Sequence, residues 1–152
     1  CVLCPAGRFA PGASSECFVC SAGRAAPEGS ADCAICMPGT FAEVESEVCS
    51  DCPGGRFSED PQAGTCDICE DGAYALNGST NCTTCELGRF SAVPESSDCI
   101  SCESGFYSLG GNQSCAPCPP GSAAPPESDM CEVCAAGRAA TSDASSCADC
   151  TP

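Results

Sequence analysis

A chain of 152 residues with twenty Cys, no Trp, six Phe and two Tyr lacks the large apolar side chains from which an ordinary single-domain core is built. Its formal net charge of −16, from 21 acids against five Arg with no Lys and no His, argues against nucleic acid, where cations must neutralise phosphates, and against an anionic membrane surface. No segment approaches the roughly 18 consecutive apolar residues of a membrane span.

In chain order, Cys-x-x-Cys pairs begin at Cys1, Cys17, Cys33, Cys49, Cys66, Cys82, Cys99, Cys115, Cys131 and Cys147, in steps of 16 or 17 residues. Three residues after the second Cys stands a glycine each time: Gly7, Gly23, Gly39, Gly55, Gly72, Gly88, Gly105, Gly121 and Gly137. Two residues further come Phe9, Phe41, Phe57, Tyr74, Phe90 and Tyr107, with Ala25, Ala123 and Ala139 in the other repeats. Self-similarity at a fixed period identifies an array of small units, and we read 1–152 as one continuous array of about nine repeats, an excerpt of a longer chain. The glycine, often preceded by Pro, is turn chemistry. The aromatic is expected to lie over the nearest disulfide and give each repeat a very small core. Both extra residues of the 17-residue steps fall between the glycine and the next Cys, so the loop tolerates insertion while the two-residue linker inside Cys-x-x-Cys does not. The expected fold class is a set of small disulfide-rich tandem repeats, an elongated rod-like array with short β hairpins, turns and no helix. Contacts are expected only between neighbouring repeats.

Three chemistries compete for the cysteines. Cys-x2-Cys-x12-Cys-x2-Cys approaches zinc-ribbon spacing, but each four-thiolate site would add two negative charges to an already acidic chain without Lys. Redox catalysis by Cys-x-x-Cys needs a helix N-terminus beside a βαβ unit, and ten copies lack that setting. Structural disulfides in an oxidising compartment fit best. The sequons Asn77-Gly-Ser79, Asn81-Cys-Thr83 and Asn112-Gln-Ser114 fall in the variable loops and support an extracellular, N-glycosylated chain. The simplest connectivity is a ladder that treats every repeat alike: Cys4–Cys17, Cys20–Cys33, Cys36–Cys49, Cys52–Cys66, Cys69–Cys82, Cys85–Cys99, Cys102–Cys115, Cys118–Cys131 and Cys134–Cys147. It leaves Cys1 and Cys150 to pair with residues outside the chain. A crossed pattern such as Cys1–Cys17 with Cys4–Cys20 leaves no Cys unpaired and stays open.

"CVLCPAGRFAPGASSEC" and "CSDCPGGRFSEDPQAGTC" resemble the ephrin-receptor-like cysteine-rich repeat, C-x-x-C-P-x-G-x-[YF] followed by a Ser/Gly-rich stretch and C-x-x-C. The resemblance runs the length of the chain, although several repeats lack the Pro or the aromatic. It extends to the first loop of tumour-necrosis-factor-receptor cysteine-rich modules, a single-disulfide loop, which implies the ladder. Long arrays of the repeat occur in large algal and protist surface proteins, including proteins similar to those of flagellar hairs, so the resemblance implies a scaffold rather than one activity.

No catalytic constellation is legible, and we expect no enzyme and no cofactor. Acid pairs such as Glu45 with Glu47 sit on solvated loops, and nothing matches the Asp-x-Asp-x-Asp-Gly calcium loop. All five Arg follow the glycine directly, at Arg8, Arg24, Arg56, Arg89 and Arg138. They read either as local pairs with acids such as Glu16, Asp32 or Asp98, or as a row of candidate lateral contacts to an acidic strand or glycan. The expected function is that of an extracellular structural protein: a stiff spacer, or a component of a filament or cell-surface appendage. Its partners would be copies of itself or other extracellular structural proteins, with no membrane insertion by this segment. A receptor or adhesin ectodomain that binds protein or glycan through its loops is the alternative.

Overall fold

In the computed structural model, residues 3–12 and 14–150 are described. They contain short β-strands and turns and no helix, and so no helix long and apolar enough to cross a membrane. The chain forms two compact units, Cys1–Cys69 with Ala75–Cys82, and Glu70–Tyr74 with Thr83–Pro152.

Nine two-stranded antiparallel hairpins recur among the described residues. They pair β1 (Arg8–Phe9) with β2 (Phe18–Val19), β3 (Arg24–Ala25) with β4 (Ala34–Ile35), β5 (Thr40–Phe41) with β6 (Ser50–Asp51), and β7 (Arg56–Phe57) with β8 (Asp67–Ile68). They continue with β9 (Ala73–Tyr74) and β10 (Thr83–Thr84), β11 (Arg89–Phe90) and β12 (Ile100–Ser101), and β13 (Phe106–Tyr107) and β14 (Ala116–Pro117). The last two are β15 (Ser122–Ala123) with β16 (Glu132–Val133) and β17 (Arg138–Ala140) with β18 (Cys147–Asp149). In eight of the nine, the second strand is the two-residue interior of Cys-x-x-Cys, and in the ninth it spans that interior together with Cys147. The segment that spacing alone presents as a linker is therefore half of the hairpin. Its fixed length follows from register: Arg8 faces Val19 and Phe9 faces Phe18, and one more residue would turn every later side chain to the other face. The amide of each following Cys then closes the hairpin onto the glycine carbonyl, as Cys20 does on Gly7 at 2.9 Å and Cys102 on Gly88 at 2.8 Å.

Each loop is closed by its own disulfide, in nine bonds from Cys4–Cys17 to Cys134–Cys147, with Cα atoms 5.5 to 5.8 Å apart. Cys150 is a free, exposed thiol. Cys1 lies outside the described residues.

The core runs between repeats. Phe9 packs against Cys20, Ala26 and Cys33, the disulfide and small residue of the next repeat, and Ala25 packs likewise with Cys36 and Ala42. Phe9 thus lies over a disulfide, and it is the bridge of the following repeat. The residue that follows the aromatic position is small throughout, and Ala26, Ala42, Ser58, Ala75, Ser91, Ser108 and Ala124 are buried. Its carbonyl accepts the amide of the preceding repeat's glycine in seven successive repeats, from Gly7 to Ala26 at 2.7 Å through Gly105 to Ala124 at 2.8 Å. A larger side chain there would hold the two backbones apart.

Candidate functional site

The constant glycines are where the repeats meet. Each sits at the third position of a turn closed from the fourth residue to the first, as Arg8 N–H donates to the Pro5 carbonyl at 3.2 Å. Its φ of +74° to +85° is the left-handed value that such a turn asks of glycine. A second requirement lies in space. A methyl group on Gly7 would coincide with the Glu45 carbonyl, on Gly23 with that of Gln62, on Gly39 with that of Gly78, on Gly72 with that of Gly111 and on Gly88 with that of Glu127. These partners stand 38 or 39 residues on, two repeats away. Contacts therefore reach second neighbours, which corrects the expectation that only adjacent repeats touch. The physical reason is winding: each loop returns to its start through its disulfide, so successive hairpins stay within backbone contact.

The partner residues are themselves left-handed, with φ of 68° at Glu45, 65° at Gln62, 63° at Glu127, 73° at Gly78 and 64° at Gly111. Their amides bond back to the preceding repeat's cysteine carbonyl, Glu45 to Cys20 at 3.1 Å and Glu127 to Cys102 at 3.0 Å. That anchors each turn tip over the glycine.

Four of the five arginines next to the constant glycines make side-chain contacts within the chain. Arg8 Nε donates to Glu45 Oε1 at 2.5 Å, and Arg89 Nη2 donates to Glu127 Oε1 at 3.3 Å, both across two repeats. Arg89 also lies 3.9 Å from Asp98, a local acid, and Arg138 lies 3.1 Å from Asp149. Arg56, Arg89 and Arg138 each donate to the carbonyl of their own loop's second half-cystine, at Cys66, Cys99 and Cys147. The Arg24 guanidinium makes no ion pair or hydrogen bond among the described residues; it lines a shallow groove with Phe9, Val19, Ser21, Asp32 and Cys33.

The Ser101 hydroxyl donates to Glu127 Oε1 at 2.5 Å. That bond first, and the Arg89 guanidinium second, hold the Glu127 carboxyl below the usual glutamate range. Because the folded pKa lies below the unfolded one, this contribution is intact above the unfolded value and fades as pH falls through the folded one. Ser101→Ala should therefore raise the Glu127 midpoint in a carboxyl-carbon NMR titration toward the ordinary value. A midpoint that does not move would show that the hydroxyl is not the cause. Asp143 is lowered too, chiefly by the Thr141 hydroxyl at 2.6 Å and the Ser145 amide at 3.2 Å, within one loop.

No known protein-family model matches the chain, and no curated protein matches it. What the fold establishes is coarser: a tandem array of small disulfide-bonded hairpin units, which fits an extracellular structural or surface role.

Of the sequon asparagines, Asn77 and Asn81 are exposed and Asn112 is half-buried. Asn77 Oδ1 accepts the Gly54 amide at 2.7 Å, and Asn112 Nδ2 donates to the buried Ser108 hydroxyl at 3.3 Å. Asn81, beside the bridged Cys82, makes no such bond among the described residues. Two sets of residues were missed in the sequence: the small residue after the aromatic and the left-handed turn tip. The first had a plain signal, Ala or Ser in all nine repeats. The second had none, because Glu, Gln, Gly and Ala alternate there.

Proposed function

We propose that this chain is a structural segment of an extracellular or cell-surface protein: a stiff spacer, or part of a filament or surface appendage. The observation that carries the reading is the recurrence of one backbone bonding scheme within each unit. Glycine amides bond to the next repeat's small residue, turn-tip amides bond to the preceding cysteine carbonyl, and glycine Cα atoms pack on turn tips two repeats away. Such a stack resists bending through bonds that do not depend on loop side chains, which suits a part that holds other parts at a distance. The resemblance of its repeats to the ephrin-receptor-like cysteine-rich type, long arrays of which occur in protist surface proteins, supports the same reading, as does an acidic surface that stays soluble in the open. On this reading the segment has no catalytic role.

One observation favours a receptor or adhesin as the second reading. At the position that carries Arg in five repeats and Thr, Ala or Ser in three, Phe106 stands instead, and with Phe90, Ile100, Ser101, Glu103 and Cys115 it lines an open apolar groove of about 260 Å³. A ligand-binding segment would concentrate unusual residues at such a place.

Electron microscopy and glycopeptide mapping of native material decide between these readings. A structural segment is expected in ordered fibres or a surface layer, with oxidised cysteines and a glycan on at least one of Asn77, Asn81 and Asn112. Recovery of the protein dispersed in a reducing compartment, its thiols free and all three asparagines bare, would overturn the proposal.

A further inference from the structure

The pairing of arginine with the turn tip two repeats later obeys a rule that neither position shows alone. Within the first unit the facing pairs are Arg8 with Glu45, Arg24 with Gln62, and Thr40 with Gly78. Within the second they are Ala73 with Gly111, Arg89 with Glu127, and Phe106 with Ala144. A long polar side chain occupies the left-handed tip in the three cases where an arginine faces it and in none of the others. The backbone gives that correlation a cause. An L residue held at φ near +65° is strained relative to glycine, by about 1 kcal/mol or more, so the tip defaults to glycine unless its side chain gains something there. Opposite an arginine it gains an ion pair, as Arg8–Glu45 and Arg89–Glu127 show. Gln62, at φ 65° opposite the unbonded Arg24 guanidinium, and Ala144, at φ 51° opposite Phe106, carry the left-handed strain with no side-chain polar partner among the described residues.

We infer that the residue after the constant glycine and the turn tip two repeats later form an electrostatic lock, Arg with Glu, whose placement sets which second-neighbour contacts of the stack hold and which yield first, in a manner tuned by ionic strength. The fold makes every such contact through the backbone alone. The lock adds a charge-dependent layer at chosen places, at Glu45 and Glu127, and leaves plain contacts at Gly78 and Gly111. Arg24 with Gln62 is a lock with its charge missing. The tip has the length and the left-handed backbone, the glycine beneath it is covered in the same way, and only the carboxylate is absent. The one acid lining the Arg24 groove, Asp32, turns an oxygen to its own loop and accepts the Cys33 amide at 2.8 Å. These arginines are thereby assigned to internal register, and a lateral partner would meet the acids instead.

The test adds a lock rather than breaking one. Gln62→Glu in the full oxidised chain should pair with Arg24 and slow hydrogen exchange at the residue 62 amide, which donates to the Cys36 carbonyl at 2.9 Å. The expected slowing is about two- to fivefold at low salt, the range of an exposed ion pair, and it should vanish in 1 M NaCl, where screening acts within about 3 Å. Gly78→Glu, placed opposite Thr40, should instead speed exchange at residue 78 at either salt, because it adds strain without a partner. Equal behaviour of the two variants, or slowing by Gln62→Glu that survives high salt, would overturn the lock. Failure of the spacer reading would leave this result untouched, since the lock concerns contacts inside each unit.

Discussion

Reduction of the oxidised chain in native buffer should abolish its ordered structure. The fully buried side chains are mostly half-cystines, Cys4, Cys20, Cys36, Cys52, Cys69 and Cys102, joined by Ala and Ser. Alanine and serine bury little apolar area, and the aromatics are half-buried or, at Phe18 and Phe106, exposed. A two-stranded hairpin is marginal alone, and most strands here are two residues long. Each bond spans 13 or 14 residues of sequence, and closing a loop of that size contributes on the order of 3 kcal/mol in the chain-entropy model. Nine such terms exceed the whole net stability of an ordinary domain, about 5–15 kcal/mol. Removing one bond, with Cys85→Ser and Cys99→Ser, should cost roughly 3 kcal/mol, and the damage should stay within the two repeats on either side. Circular dichroism under reductant and residue-resolved hydrogen exchange on the double variant check both statements. Persistence of protected amides in the fully reduced chain would show that something other than the disulfides holds the fold.

The second large effect is a methyl group at a covered glycine. Gly88 has φ +74°, and its would-be Cβ meets the carbonyl, the carbonyl carbon and the Cα of Glu127, all backbone, none of which can rotate away. Gly88→Ala should therefore cost about 1–2 kcal/mol for the left-handed backbone and a further 1–3 kcal/mol for overpacking. Gly137 has φ +85° and nothing within 4 Å of its would-be Cβ among the described residues. Gly137→Ala should show the backbone cost alone. The difference between the two substitutions, read from thermal unfolding, isolates the second-neighbour contact. Equal losses would mean that the glycines serve the turn and nothing else.

That comparison marks how far the sequence could be read. The repeat, its period, its loop-closing hairpins and the absence of helix were legible, because Cys-x-x-Cys and Gly recur without exception. The strand hidden inside Cys-x-x-Cys was not, because two residues carry no periodicity. Turn chemistry supplied a sufficient reason for Gly7 or Gly88, and nothing local pointed to a second one: Glu45 and Glu127 approach from 38 and 39 residues away, a distance set by winding. The arginines show the same limit. Local acids such as Asp98 were visible as partners of Arg89, at 3.9 Å, whereas the shorter contact at 3.3 Å runs to Glu127. The aromatics were legible as residues that cover the nearest disulfide, but which bridge that is was not: only the stacked structure shows that Phe9 lies over Cys20–Cys33, the bridge of the next repeat.

The most direct test is the disulfide map. Proteolysis of the unreduced, alkylated protein followed by mass spectrometry should recover each loop closed on itself, among them Cys20–Cys33, Cys52–Cys66 and Cys85–Cys99, with Cys150 of this segment alkylated when nothing outside it is present to pair with. Crossed peptides such as Cys4 linked to Cys20, or thiols that alkylate only after stoichiometric zinc is removed, would contradict the closed-loop stack and the contacts built on it.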